Sequence, residues 1–231
     1  MKVLYRISDN GYVKEKFANA TKKRCLLNCL MQFPLEEVTV FVDKVIPETQ
    51  EFLDDYAEMT GLKLVPIQGG SSAGSWRIVR DHALTLPDEE VVYFLEDDYL
   101  HLDGSRTALL EAIDRADYVT LYDAPDKYVP ARMGGNPYIE DDGADPTRVI
   151  LTKSRHWRLT NSTTMTFATR VKTLREDNDV WKQFTEGNHP HDFQAFLALR
   201  AKGRSLLSPI PTLSTHCEPA WAAPLVDWSL V

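Results

Sequence analysis

Basic charge is in short supply in this chain. Its 231 residues carry 26 Lys and Arg against 34 Asp and Glu, a formal net charge of −8, which argues against nucleic acid or an anionic membrane as the main partner. An anionic ligand would need local help, from a metal or a few placed arginines. Long apolar runs are missing too. None approaches the roughly 20 residues of a membrane-spanning helix, and the opening MKVLYRISDNG reads as a first strand rather than a secretory leader. A soluble, cytoplasmic protein without a membrane span is expected. The three cysteines, Cys25, Cys29 and Cys217, make no disulfide framework, and Cys25 and Cys29 have helical i, i+4 spacing rather than that of a CxxC motif. They read as packed thiols. No GxxxxGK[ST] or GxGxxG motif, no internal repeat and no heptad pattern is present.

The most informative stretch is VVYFLEDDYL, residues 91–100. Val91 to Leu95 predict a strand buried on both faces, and it runs straight into Glu96, Asp97 and Asp98. Adjacent carboxylates repel and cannot be buried without a cation, so the strand should end at a solvent-reached edge or at a bound hard metal. Carboxylate oxygens suit Mg²⁺ or Mn²⁺. The plainer alternative is a polar strand end leading into a loop.

Before this stretch the chain alternates. Strands are predicted at Lys2 to Ile7, Val38 to Val42 and Leu62 to Ile67, with helices at Lys14 to Phe33 and Pro47 to Thr60 between them. Pro34 closes the first helix and Gly61 the second. Such β-α-β-α-β order implies a largely parallel sheet. The loop from Gly69 to Ser75 lets backbone approach a ligand, although alone it could be a linker before a helix from Trp76 to Leu86. After the acidic strand, a helix is expected from Ser105 to Arg115 and a strand from Tyr118 to Tyr122. Residues 124–147 are rich in Pro, Gly and Asp and read as a mobile loop or a lid. Strands follow at Arg148 to Thr152 and Thr160 to Thr169, with the basic aromatic turn SRHWRL between them, then helices at Val171 to Phe184 and from Asp192, an N-cap candidate, to Gly203. The tail through LSTHCEP and AWAAPLVDW is expected to pack back across the domain.

These spacings resemble nucleotide-sugar glycosyltransferases of the GT-A fold, especially the inverting family 2 type, over roughly the first 100 residues and more loosely beyond. The second strand ends in an aspartate, Asp43. Val79-Arg80-Asp81 stands where that family has an Ala-Arg-Asn helix start, and Glu96-Asp97-Asp98 replaces its DxD motif. The chain departs from the pattern in having Glu as the first DxD acid and Asp81 in place of Asn. The Gln/Arg-x-x-Arg-Trp motif of processive synthases is absent, which argues against a processive role. The resemblance implies an α/β GT-A domain over 1–231 with a mixed, mostly parallel sheet flanked by helices. Residues 1–100 would form its nucleotide-sugar-binding half and 101–231 its acceptor-binding and catalytic half.

By the same resemblance, Asp43 would hydrogen-bond the base, and Ser8, Asn10, Gly70, Arg80, Glu96 and Asp97 would contact the nucleotide-sugar. Asp98 and His216 would ligate Mn²⁺ or Mg²⁺, and Asp192 would be the catalytic base. Trp157, set among Arg155, His156 and Arg158, and His191 are candidate acceptor contacts, with Tyr138 and Trp221 as further flat faces. Trp181 and Trp228 read as core. Each assignment has a plainer counterpart: Asp192 as a helix cap, His216 as polar surface, Arg80 as a salt-bridge partner, Trp157 as core. The implied reaction moves one hexose or deoxyhexose from a nucleotide-sugar, foremost a UDP-sugar, to a glycan or other hydroxyl acceptor. A divalent ion would neutralise the departing diphosphate and a carboxylate would take the acceptor proton. Two alternatives stand beside it. One is a sugar-1-phosphate nucleotidyltransferase, whose Gly-rich N-terminal signature RISDNGYVKEK lacks, and the other is a non-catalytic nucleotide- or carbohydrate-binding module.

Overall fold

A computed structural model describes residues 1–11, 15–140 and 147–231. The first half runs β1 (Lys2–Ile7), α1 (Lys22–Gln32), β2 (Val38–Asp43), α2 (Pro47–Thr60), β3 (Lys63–Ile67), α3 (Ser72–Ala83) and β4 (Val91–Glu96). Next come β5 (Tyr99–His101), α4 (Ser105–Ile113), β6 (Tyr118–Val119), β7 (Val149–Leu151), β8 (His156–Leu159) and β9 (Phe167–Arg170). The chain continues through α5 (Val171–Glu176), α6 (Asn178–Gln183), α7 (Asp192–Ala201), β10 (Leu206–Ile210) and β11 (Ser214–His216). Among the described residues, nine strands form one sheet in the order β3-β2-β1-β4-β9-β6-β10-β8-β7, and β5 and β11 form a separate antiparallel pair. The β3-β2-β1-β4 half is parallel, while β9 runs antiparallel to both β4 and β6. The sheet is therefore mixed and helix-flanked, as the resemblance implies.

Side-chain alternation along β4 explains both layers. Val91, Tyr93 and Leu95 face α1, α2 and α4, whereas Val92 and Phe94 face the helices α3 and α5 to α7. The second layer is aromatic: Phe167 stacks on Trp181 at 4.9 Å, and Trp76 lies 5.2 Å from Trp181. Trp181 and Trp228 are core residues, as expected.

Several boundaries differ from expectation for local reasons. The described part of the first helix begins only at Lys22, because Thr21 caps it by accepting from the Arg24 N–H; Lys14 lies outside the described residues. Helix α3 starts four residues earlier than expected, where the Ser71 hydroxyl accepts from the Gly74 N–H. SRHWRL is not a turn. Its last four residues are β8, pairing with β7 on one side and β10 on the other, and the second strand of this region is confined to β9. The helix expected from Val171 is broken at Asp177, whose buried carboxylate receives Arg204 and the Tyr118 hydroxyl. Gly203, at φ 88°, ends α7 as expected. The long segment after Asp123 holds two 3₁₀ turns, Pro125–Tyr128 and Ala131–Met133, and its residues 141–146 lie outside those described.

That segment is anchored by a buried ion pair. Arg158 Nη2 donates to Asp123 Oδ1 at 2.7 Å, the Tyr128 hydroxyl donates to Asp123 Oδ2 at 2.5 Å, and the guanidinium lies 4.7 Å from the Tyr128 ring centroid. Arg158→Ala leaves a buried carboxylate without its cation. It is expected to cost about 3–5 kcal/mol, read as a lowered urea midpoint; a loss below about 1 kcal/mol would show that the pair does not hold this segment.

Candidate active site

The topology reverses between β1 and β4: β2 and β3 extend to one side of β1, and β4 pairs on the other. In open α/β sheets, ligands bind at the carboxyl ends of strands beside such a reversal. A cleft of about 580 Å³ lies there, lined by Arg6, Ser8, Asn10, Asp43, Gly70, Glu96, Asp97 and Asp98, with Lys16, Lys22 and His189 also on its wall. Of the seven residues expected to contact a nucleotide-sugar, only Arg80 is missing from it. Arg80 is buried on α3, donating from Nε and Nη2 to Asp81 at 3.0 and 2.7 Å and lying over Trp76 at 5.6 Å. The earlier start of α3 leaves it a structural ion pair.

Each acid at the end of β4 meets a cation. Arg6, opposite Glu96 in the β1–β4 register, reaches Glu96 Oε1 at 2.9 Å. Asp97 Oδ2 accepts from the Ser8 N–H at 2.9 Å and from Lys22 Nζ. Burial foremost pushes the Asp97 acid upward against the pull of Lys22. Asp97 thus ties the loop after β1 to the end of β4. Lys16 Nζ lies 3.4 Å from Asp98 Oδ2.

The far wall is built by backbone packing. Asp43 is buried and accepts from the Gly69 N–H at 3.1 Å, and the Asn10 amide donates to the Gly70 carbonyl at 3.3 Å. A Cβ on Gly69 would fall 2.3 Å from Ser75 N, and one on Gly74 would fall 2.0 Å from Gly69 O. The two glycines are what let this loop close on the start of α3.

Asp98 is joined by residues from far along the chain. In the β5–β11 ladder His216 pairs with Tyr99, and one step on the Cys217 N–H donates to the Asp98 carbonyl at 2.9 Å. This register sets His216 Nε2 3.4 Å from Asp98 Oδ2 and 3.8 Å from Glu218 Oε1. One donor atom from each of Asp98, His216 and Glu218 lies within 4.8 Å of the others. Donors sharing a small divalent ion at about 2.1 Å can stand no more than roughly 4.2 Å apart, so the 3.4 and 3.8 Å pairs fit a common ion. The two carboxylates suit Mg²⁺ or Mn²⁺, and the imidazole is a donor more typical of transition-metal ions.

Across this cluster opens a second cavity, about 310 Å³, whose wall includes Asp126, Lys127, Asp192, Phe193, His216, Glu218 and Trp221. Asp192 is the first residue of α7, not its cap. Its Oδ1 accepts from the Phe193 N–H at 2.7 Å, and His191 precedes the helix. Burial, the largest influence, lifts the Asp192 acid from 3.8 to about 6; Glu96 adds to the rise, and the Phe193 N–H and Lys127 oppose it.

Two expected acceptor contacts fall away from both cavities. Trp157 is fully buried within β8, its indole N–H donating to the Thr152 hydroxyl at 3.1 Å, so it offers no face to a ligand. His191 is exposed and lines neither space, whereas His189 lines the cleft. Arg6, Lys16, Lys22, Lys127 and Glu218 were not foreseen. Two had a signal: an arginine inside the apolar strand KVLYRI, and a carboxylate two positions after His216, on the same side of an extended segment.

The fold is that of the GT-A glycosyltransferases. The chain is similar to solved structures of GalNAc-T7 with UDP, GalNAc and Mn²⁺ (TM-score 0.62, 14% identity, 96% of this chain and 44% of that one). It is also similar to S. aureus TarS, to residues 1–349 (0.52, 16%, 90% and 58%) and to a longer TarS chain (0.53, 17%, 90% and 35%). The chain thus spans between about a third and three fifths of the length of these solved chains. No protein-family model and no curated protein sequence matches it. No helix among the described residues is long and apolar enough to cross a membrane.

Because the folded protein raises the Asp192 acid to about 6, ionising it costs folding free energy. The cost is absent below about pH 4 and complete above about pH 6. Asp192→Asn removes it. At pH 7.5 the variant is expected to be more stable by about 1–2 kcal/mol, allowing for partial exposure, and at pH 4 the two should converge. Equal stability at both pH values in paired thermal melts would contradict the raised pKa of Asp192.

Proposed function

We propose that the chain is a metal-dependent, inverting glycosyltransferase. It would move one hexose or deoxyhexose from a nucleotide-sugar, foremost a UDP-sugar, to a glycan or other hydroxyl acceptor. The observation that carries this reading is the placement of the partly buried carboxylate of Asp192 on one cavity wall with His216 and Glu218, whose third partner, Asp98, lines the neighbouring cleft at the reversal of the sheet. The shared fold with GalNAc-T7, solved with UDP, GalNAc and Mn²⁺, supports the donor class and the metal.

In this reading residues 1–100 bind the donor and 101–231 supply the acceptor site and the base. Asp43 and the Gly69–Gly70 backbone hold the base, and Ser8 and Asn10 line the path to the diphosphate. Asp98, His216 and Glu218 would hold Mn²⁺ or Mg²⁺, which when bound neutralises charge on the departing diphosphate. Glu96, fixed by Arg6, faces the sugar, and Asp97 fixes the loop that carries Ser8. Asp192, ionised above about pH 6, accepts the proton of the attacking hydroxyl. A single displacement assisted in this way inverts the anomeric centre. We place the reaction in the cytoplasm, consistent with three buried, unbridged thiols.

Calorimetry with UDP is expected to show binding that depends on Mn²⁺ and weakens at least tenfold in Asp98→Ala. Metal-independent binding, or none, would overturn the donor and metal assignments. Mn²⁺-stimulated hydrolysis of the cognate UDP-sugar, found by screening donors, should fall tenfold per pH unit below about pH 6. In Asp192→Asn it should drop by about 10²–10⁴-fold and lose that acid limb. An unchanged limb in the variant would remove Asp192 from the base role.

A further inference from the structure

At the far edge of the sheet, β7 has a neighbour on one side only. In its ladder with β8, the Leu159 N–H donates to the Arg148 carbonyl at 3.3 Å, and the Thr152 N–H donates to the Arg155 carbonyl at 3.0 Å. Arg148 and Thr152 therefore turn their backbone groups toward β8. By the alternation of an antiparallel pair, Val149 and Leu151 turn theirs away, where no other described strand lies. Their side chains are open as well, Val149 by 57% and Leu151 by 63%, while Ile150 packs against the core from the other face.

Charge around this edge runs opposite to that of the whole chain. The protein carries −8, yet residues 147–159 contain no Asp or Glu and four Lys or Arg. Arg158 is buried against Asp123. Arg148, Lys153 and Arg155 make no salt bridge among the described residues. Glu111 reaches the turn after β7, accepting from the Ser154 N–H and hydroxyl at 2.9 Å, and one carboxylate against three cations leaves a positive surplus. Charges guard an exposed edge against indiscriminate pairing. Three of one sign also select the partner.

We propose that β7 is a docking edge for an extended acidic segment of a partner protein, which adds as a tenth strand to the nine of the sheet. The segment's backbone pairs with the outward N–H and C=O groups of Val149 and Leu151, and its apolar side chains cover these two residues. Asp or Glu on either side meet Arg148, Lys153 and Arg155. The outward backbone groups single out a peptide, because an anionic glycan, lipid headgroup or nucleic acid has no strand with which to complete the ladder. A second copy of the chain is disfavoured, since pairing β7 with itself brings two basic clusters together. The inference is independent of the glycosyltransferase reading.

The test is titration of the whole chain with a labelled peptide, Asp-Glu-Val-Thr-Val-Glu-Asp, and with its counterpart carrying Lys in place of every acid. The acidic peptide is expected to bind at least tenfold more tightly and to lose at least threefold in affinity between about 50 and about 300 mM salt. It should also slow hydrogen exchange at the Val149 and Leu151 amides at least tenfold. Val149→Pro removes an outward N–H that the β7–β8 ladder does not use, and it is expected to weaken binding at least tenfold while keeping a folded thermal melt. Arg148→Glu combined with Lys153→Glu, at two exposed positions, should reverse the preference between the peptides. No binding of the acidic peptide, equal binding of both, a preference unchanged in the double variant, or unaltered amide exchange would overturn the proposal. Full competition by polygalacturonate would overturn it by showing an anion site without strand pairing. A dimer in sedimentation that dissociates in Val149→Pro would overturn it by assigning the edge to a second copy.

Discussion

Three consecutive carboxylates at the end of one buried strand set the terms for everything around them. Like charges at adjacent positions cannot share a low-dielectric site without cations, and the fold supplies one for each. Arg6 comes from the neighbouring strand, Lys22 from the helix that follows it, and Lys16 approaches the third acid. The last acid also meets His216, and through it Glu218. Electrostatic necessity thus draws elements from both ends of the sequence to one sheet edge, and the cleft is the space those elements enclose.

The parallel half of the fold was legible because its signals are local. Apolar runs of five or six residues, Gly61 at a left-handed turn and Pro47 in a first helical turn each report on their own neighbourhood. The second half was less legible because it depends on pairing between distant strands. Nothing near SRHWRL announces that Leu207 and Ile210 will pair with Leu159 and His156 and make a strand of a basic segment. Nor does composition around Pro209 suggest a strand, since proline normally argues against an inner one. Helix α3 was misplaced by four residues because small hydroxyl residues read as linker until Ser71 is seen to cap it.

The candidate site divides along the same line. Asp43, Asp98, Asp192 and His216 stand out as polar residues at the ends of apolar elements, and the structure sets all of them on cavity walls. Trp157 misled because an aromatic among basic residues looks like surface, when Arg158 is in fact buried against Asp123 and Trp157, on the opposite face of β8, packs into the hydrophobic core. Arg80 misled for the opposite reason: its partner was the next residue, which no spacing argument weighs. Lys127 and Glu218 carry meaning only once the cavity is seen, because each is one charged residue among many until its neighbours are known.

The ladder that seats His216 opposite Tyr99, just past the acidic strand, joins positions roughly 120 residues apart in the sequence. Closing so large a loop is slow relative to local steps, since its entropy is lost before any contact rewards it. On the ribosome Asp98 therefore emerges long before His216, and the cluster of Asp98, His216 and Glu218 can assemble only after β11 has paired with β5.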